Sequence, residues 1–145
     1  MEFHGQSDGI IREILTVPRR IALVGASTKP WRASHEVMRF LVERGFDVTP
    51  VNPALAGQTV HGRTVVARLA DAAPLDMVDV FRNSRELSSL VDEAIRLGAR
   101  ILWTQLGVID QEAAARAQAA GMIVVMDRCP MIEDRRLGPF KHLPG

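Results

Sequence analysis

Arg20-Ile21-Ala22-Leu23-Val24-Gly25-Ala26-Ser27-Thr28-Lys29 carries the reading that decides the fold. Residues 20–25 form an apolar run ending in glycine, which predicts a strand buried on both faces and then a tight turn. Hydroxyls and a cation follow at once. Val37, Leu41 and Val42, with Met38 and Phe40 nearby, then recur at helical spacing, and Gly45 supplies a stop. Strand, glycine turn and helix in that order open a βα unit.

The unit recurs along the chain. Residues 46–51 read as a second strand ended by Asn52-Pro53, and residues 76–81 as a third. A helix from about Ser84 places Leu87, Leu90, Val91, Ala94 and Ile95 on one face and stops at Gly98. Residues 100–104 make a fourth strand. Asp110 is placed to cap an Ala-rich helix ending near Gly121, and residues 123–126 make a fifth strand. Residues 9–16 are expected to form a short leading helix. Parallel strands need crossover connections, so five apolar strands alternating with helices imply a sheet covered on both faces. The fold class is α/β: a three-layer, doubly wound, Rossmann-like domain on a five-stranded parallel sheet. A single domain over residues 1–145 is expected, with its core at about 18–137 and a C-terminal tail.

Composition fits that size. The 145 residues are 47% hydrophobic and 24% charged, which excludes a disordered or collagen-like chain. Eighteen Lys and Arg against seventeen Asp and Glu give a charge of +1, without the basic excess of a nucleic-acid binder. The single cysteine, Cys129, excludes an intramolecular disulfide and favours a reducing compartment. The longest apolar run, residues 122–126, is too short to cross a bilayer, and residues 1–8 lack the pattern of a secretory signal. A cytoplasmic protein with no membrane or nucleic-acid partner is expected.

In a doubly wound sheet, ligands bind beyond the carboxyl ends of the strands, at the switch in strand order. Gly25 there permits close approach to the backbone, and the following helix offers unpaired N–H groups to an anion. Ser27 and Thr28 add hydroxyls; Lys29 and Arg32 add charge. A phosphate or pyrophosphate is the expected guest, against the plainer reading that Gly25 only turns the chain and Ser34 only caps the helix. The dinucleotide fingerprint is absent. Two of its three glycines are missing from Gly25-Ala26-Ser27-Thr28-Lys29-Pro30, and Asn52-Pro53 replaces the acidic residue that holds a ribose. NAD is therefore disfavoured.

Val24-Gly25-Ala26-Ser27, Pro50-Val51-Asn52-Pro53, Asp79-Val80-Phe81-Arg82, Trp103-Thr104-Gln105-Leu106-Gly107 and Asp127-Arg128-Cys129-Pro130 occur in register. Together they resemble the small bacterial stand-alone CoA-binding proteins (the YccU-like group), related to the CoA-binding domain of the succinyl-CoA synthetase alpha subunit. The resemblance covers roughly residues 18 to 137. It implies a single CoA-binding domain with CoA or acyl-CoA lying across the strand ends. Gly25, Ala26 and Ser27 would meet the phosphates, with Lys29 and Arg32 as counter-charges. Asn52 and Pro53 would line the nucleotide side, Phe81 and Arg82 would flank the adenine or phosphate region, and Gln105 would lie along the pantetheine path. Many relatives carry a basic residue after the Asn-Pro pair. Here Ala54-Leu55-Ala56-Gly57 stands instead, so charge for the 3′-phosphate is expected from elsewhere.

The remaining reactive residues form no recognisable catalytic set. His4, His35, His61 and His142 lack metal-ligand spacing. His35 reads as a surface or capping residue. Cys129 reads as a buried small hydrophobe in preference to a thiol exchanging with CoA. Asp79 and Asp127 are expected to orient strand-end loops. Trp103 is expected in the core, and Trp31 is read equally as ligand contact or partner surface. The function expected is a non-catalytic CoA- or acyl-CoA-binding protein. The alternatives are an acyl-CoA or nucleotide-dependent transferase with an unrecognised catalytic group, or an interaction subunit of a larger complex. Self-association and an unknown protein partner both stay open.

Overall fold

The computed structural model describes residues 2–143. In chain order the elements are α1 (Asp8–Thr16), β1 (Arg20–Val24), α2 (Ala33–Arg44), β2 (Asp47–Val51), β3 (Thr59–Val60), β4 (Arg63–Thr64), β5 (Met77–Val80), α3 (Leu87–Arg96), β6 (Ile101–Thr104), α4 (Gln111–Ala119), β7 (Ile123–Val125) and α5 (Pro130–Leu137). Five strands pair in parallel in the order β2-β1-β5-β6-β7, and the small pair β3-β4 is antiparallel. The chain is thus the α/β, Rossmann-like fold expected. Strand order reverses between β1 and β5, so the crevice for a ligand lies above their carboxyl ends.

Side-chain alternation builds the layers. Ala22 and Val24 of β1 and Val78 and Val80 of β5 pack with Leu87 and Val91 of α3 and Ala113, Ala114 and Ala117 of α4. Ile21, Leu23 and Met77 face the other way. They meet Ile11, Ile14 and Leu15 of α1 and Val37, Met38 and Leu41 of α2. Trp103 is fully buried in this second core and its Nε1–H donates to Arg128 O at 2.8 Å, as a buried indole requires. Among the described residues no helix is long and apolar enough to cross a membrane.

Caps set the helix ends. Ser7 Oγ accepts from Ile10 N–H, starting α1 one residue before the expected position, and Asp110 Oδ1 accepts from Ala113 N–H at the start of α4. Gly45 ends α2 in the left-handed region at φ 102. Ser34 does not cap α2. Arg32 occupies the N-cap position, without a side-chain hydrogen bond, and Ser34 is a buried residue of the first helical turn. The helix expected from Ser84 begins as one 3₁₀ turn, Ser84–Glu86, before α3.

Two elements depart from the sequence reading. The expected C-terminal tail contains α5, and the connection after β2 contains the β3-β4 hairpin. That connection then returns along the sheet margin. Val66 N–H donates to Pro50 O and Asn52 N–H to Val66 O, both at 2.9 Å, making a parallel bridge beside Val51.

Candidate functional site

The loop after β1 is held from below by its neighbours. Gly25 takes φ 93, and a Cβ there would lie 3.0 Å from Phe81 O and 3.1 Å from Arg82 Cδ. Glycine is therefore needed because the β5 end presses against this turn, as well as for its dihedral. The N–H groups of Gly25 and Ala26 both donate to Val51 O. They hold the turn to β2 and are not offered to a ligand. Lys29 N–H donates to Ser27 Oγ at 3.0 Å. Among the described residues the N–H groups of Ser27, Thr28, Ala33 and Ser34 find no such partner, and the last two open the uncapped N-terminus of α2.

Asn52 joins the first two strand ends. Its Nδ2 donates to Ala26 O at 2.8 Å and its Oδ1 accepts from Ala54 N–H at 2.9 Å. Only an amide makes both bonds at once. An aspartate lacks the donor, which gives a physical reason for asparagine where a dinucleotide fold carries an acid. Farther along the sheet the loops are also tied together. Thr104 Oγ1 donates to Val108 O and accepts from Asp127 N–H, and Asp127 Oδ1 accepts from Gly107 N–H at 2.8 Å. Asp127 thus orients two loops, at a φ of 62. Asp79 does not share that role. It is fully buried inside β5 and both carboxylate oxygens lack a hydrogen-bond partner. Burial pushes its carboxyl well above the ordinary range.

Two clefts lie above the switch point. The first, of about 460 Å³, is lined by Gly25, Ala26, Ser27, Lys29, Arg32, Asn52, Phe81 and Arg82 of the expected set, joined by Thr28, Ala33, Ser34, Ala54 and Leu55. The second, of about 450 Å³, has an apolar floor of Val24, Val51, Leu69 and Leu90, with Pro53 at its side and Arg68, Glu86 and Glu93 at its rim. Gly25 and Arg82 line both. Arg82 forms the wall between them, its Nε and Nη2 donating to Glu86 Oε1 at 3.1 and 2.8 Å. That pairing holds the Glu86 carboxyl below its usual range. Sequence reasoning missed the second cleft because Leu69 and Leu90 are ordinary apolar residues until the fold brings them together.

Gln105 lines neither cleft. Its side chain is buried just beyond the end of β6, with Oε1 unpartnered. Cys129 is buried at the N-cap position of α5, packed in the second core. Trp31 is 77% exposed, with Lys29 Nζ 6.0 Å above its ring. His35 is half-buried against His61, ring centroids 4.2 Å apart. Burial first, and then the neighbouring His61 and Arg39, lower its pKa.

The sequence matches the CoA binding domain family over residues 19–135. The chain belongs to this family. It is 36% identical over 120 residues to the uncharacterized protein YneT of Bacillus subtilis (strain 168), covering 82% of this chain and 87% of that one. Among solved structures, a hypothetical protein from Pyrococcus horikoshii OT3 superposes with a TM-score of 0.85 at 42% identity, over 92% of this chain and 93% of that chain. A dinucleotide-forming acetyl-coenzyme A synthetase from Ca. Korarchaeum cryptofilum superposes at 0.63 with 25% identity. That match covers 77% of this chain and 26% of the synthetase. Membership in a CoA-binding family suits a site whose open donors and cations lie beside an apolar hollow.

Proposed function

We propose that this chain binds CoA or acyl-CoA without transforming it, with the ligand phosphates at the loop after β1 and the N-terminus of α2. The observation that carries the reading is the pair of joined clefts. One presents open N–H groups of Ser27, Thr28, Ala33 and Ser34 with Lys29 and Arg32 beside them. The other presents an apolar floor. A phosphate suits the first through fixed donors and helix-terminus charge. An adenine or acyl-bearing arm suits the second. The expected phosphate donors shift from Gly25 and Ala26, whose N–H groups serve Val51, to the residues just after them. Arg68, at the rim of the second cleft and 3.3 Å from Asp71 Oδ1, would be the cation to answer a 3′-phosphate there, where no basic residue follows Asn52-Pro53.

The non-catalytic reading draws on how the reactive groups are used. Cys129 packs in the core, His35 rests on His61, and Arg82 is paired to Glu86. Calorimetric titration with CoA and NAD tests the ligand: CoA is expected to bind and NAD to bind more weakly, and equal or tighter NAD binding overturns the choice. Acyl-CoA incubated with the protein is expected to be recovered intact by chromatography. Protein-dependent release of free CoA would overturn the non-catalytic reading.

A further inference from the structure

The β3–β4 hairpin reaches the first turn of α2 through a pair of histidines. His61 and Gly62 make its two-residue turn, and both take positive φ, 48 and 77. Asn-Gly is the usual occupant of such a turn. The His61 ring extends from it to His35 of α2, with centroids 4.2 Å apart and planes tilted by 53°. Its Nε2 stands 2.9 Å from His35 O. A carbonyl only accepts, so His61 Nε2 carries the hydrogen and donates. Both residues are half-buried.

This contact joins the two walls of the first cleft. One wall runs from Ser27 to Ser34; the other passes through Asn52, Ala54 and Leu55 and continues into the hairpin. Asn52 Nδ2 donating to Ala26 O ties the walls at the sheet end. His61 donating to His35 O ties them at the helix end, one residue beyond the open N–H of Ser34.

The surroundings make the pair intolerant of a second proton. Arg39 faces His35 from its own helix and is itself paired to Glu43 at 3.9 Å. Arg63 of the hairpin is held by Asp47 at 2.6 Å, and α5 meets α2 at its far end through Arg44 and Asp134. Lys29 and Arg32 line the cleft, and the start of α2 adds its own partial positive charge. Glu36 follows His35 and is exposed, and among the described residues no carboxylate pairs with either imidazole. Burial, then His61 and then Arg39, hold His35 below the ordinary histidine range. Two imidazolium rings in contact, with no anion beside them, repel.

We propose that His35 and His61 form a proton-operated clasp on the first cleft, closed while at most one ring is charged and released when both are, so that ligand is held near neutrality and let go in acid. The clasp does not depend on what fills the cleft; the effect on ligand rests on the CoA reading above. As pH falls through about 6.5 the unfolded chain takes up the His35 proton before the native chain does. The contribution of the clasp to stability is therefore present above that pH and lost below it.

Two variants fix the clasp in either state. His35→Gln keeps the backbone acceptor and removes one of the two charges, so the clasp stays closed in acid. His61→Asn suits the positive-φ turn but is too short to reach His35, so it stays open at every pH. Amide hydrogen exchange of Gly57 and Val65, which bond across the base of the hairpin, is followed by NMR at pH 7.5 and 5.5 and corrected for intrinsic rates. In the parent, exchange is expected to quicken about tenfold in acid, the scale of one hydrogen bond. His35→Gln is expected to stay slow at both pH values and His61→Asn to be fast at both. Parent exchange that ignores pH, an equal change in His35→Gln, or slow exchange in His61→Asn overturns the clasp.

Calorimetric titration with CoA at the same two pH values reads the consequence. A phosphate monoester also titrates near about pH 6, so the parent is compared with His35→Gln. The parent is expected to lose at least about fivefold more affinity in acid, the low end of ordinary coupling between sites. Equal losses overturn the link to the cleft. A parent that fails to bind CoA at pH 7.5 overturns the CoA reading, while the exchange rates still decide the clasp.

Discussion

Gly25→Ala separates what a glycine does for the chain from what it does for the ligand. Alanine at φ 93 costs about 1–2 kcal/mol of left-handed strain. The added Cβ also meets Phe81 O at 3.0 Å and Phe81 C at 3.1 Å, which are backbone atoms of the central strand end. Overpacking of that kind costs about 1–3 kcal/mol. The turn cannot swing away freely, since Gly25 and Ala26 N–H are both held by Val51 O. Loss of unfolded-state freedom returns about 0.4–1 kcal/mol, leaving a net destabilisation of about 1–5 kcal/mol. Gly57→Ala is the matched control. Its φ is 91, nothing lies within 4 Å, and it carries only the strain, about 1 kcal/mol net. Urea unfolding of the parent and both variants gives the difference. Both are expected to remain folded, because domains of this size have about 5–15 kcal/mol to lose. Calorimetry on the folded variants should then show CoA binding lost with Gly25→Ala and kept with Gly57→Ala, since displacing Phe81 and Arg82 disturbs the wall of both clefts. Equal destabilisation by the two substitutions would refute the argument that β5 presses on this turn.

Replacing Lys29 and Arg32 together by Ala should weaken CoA binding modestly and flatten its salt dependence, because exposed charges are screened within about 8 Å at physiological ionic strength; an unchanged salt slope in titrations at two ionic strengths would contradict it. Asn52→Asp should destabilise by about 1–2 kcal/mol in urea unfolding, since no donor remains for Ala26 O, and an unaltered midpoint would show that this tie carries nothing. Asp79 gives a pH signature. Its carboxyl is held above the ordinary range by burial, so the unfolded chain releases that proton from about pH 4 upward while the native chain keeps it. Stability is then full below pH 4 and lost as pH rises, and Asp79→Asn should gain on the parent as pH rises above 4; parallel stability curves would exclude a neutral Asp79. Asp134→Ala should cost about 3–5 kcal/mol in thermal or urea unfolding, because it strands Arg44 in a buried, bidentate pair.

The large βα units were legible because each strand is an apolar run and each helix face repeats at helical spacing. Helix α5 was not, for a physical reason. It buries Pro130, Glu133 and Asp134 and neutralises the two acids with Arg44, Arg128 and Arg136, so no apolar stripe marks it. The β3-β4 hairpin has two residues per strand, too few for alternation to show, and turns at His61-Gly62 with His61 at φ 48. At the site, the loop glycine, hydroxyls and cations could be read from their place after a strand. Which N–H groups stay open could not, since that depends on Val51 O reaching Gly25 and Ala26 across the sheet. Asp79 falls in the expected third strand, but a loop-orienting role was expected of it because its polarity was visible and its complete burial was not.

The Val66 bridge beside β2 bears on how two copies of this molecule meet. A hydrophobic parallel sheet with a bare outer strand is a template on which another chain can add its own backbone. Here Val66 engages Pro50 O and Asn52 N–H on that margin, and proline within β2 withholds a donor as well. The opposite margin, β7, offers three residues. Short strands are poor templates for addition. Sheet-to-sheet continuation between molecules is thereby discouraged at both ends. The fold can therefore keep its strands strongly apolar, as a sheet covered on both faces demands, without making the concentrated protein prone to stacking into fibres.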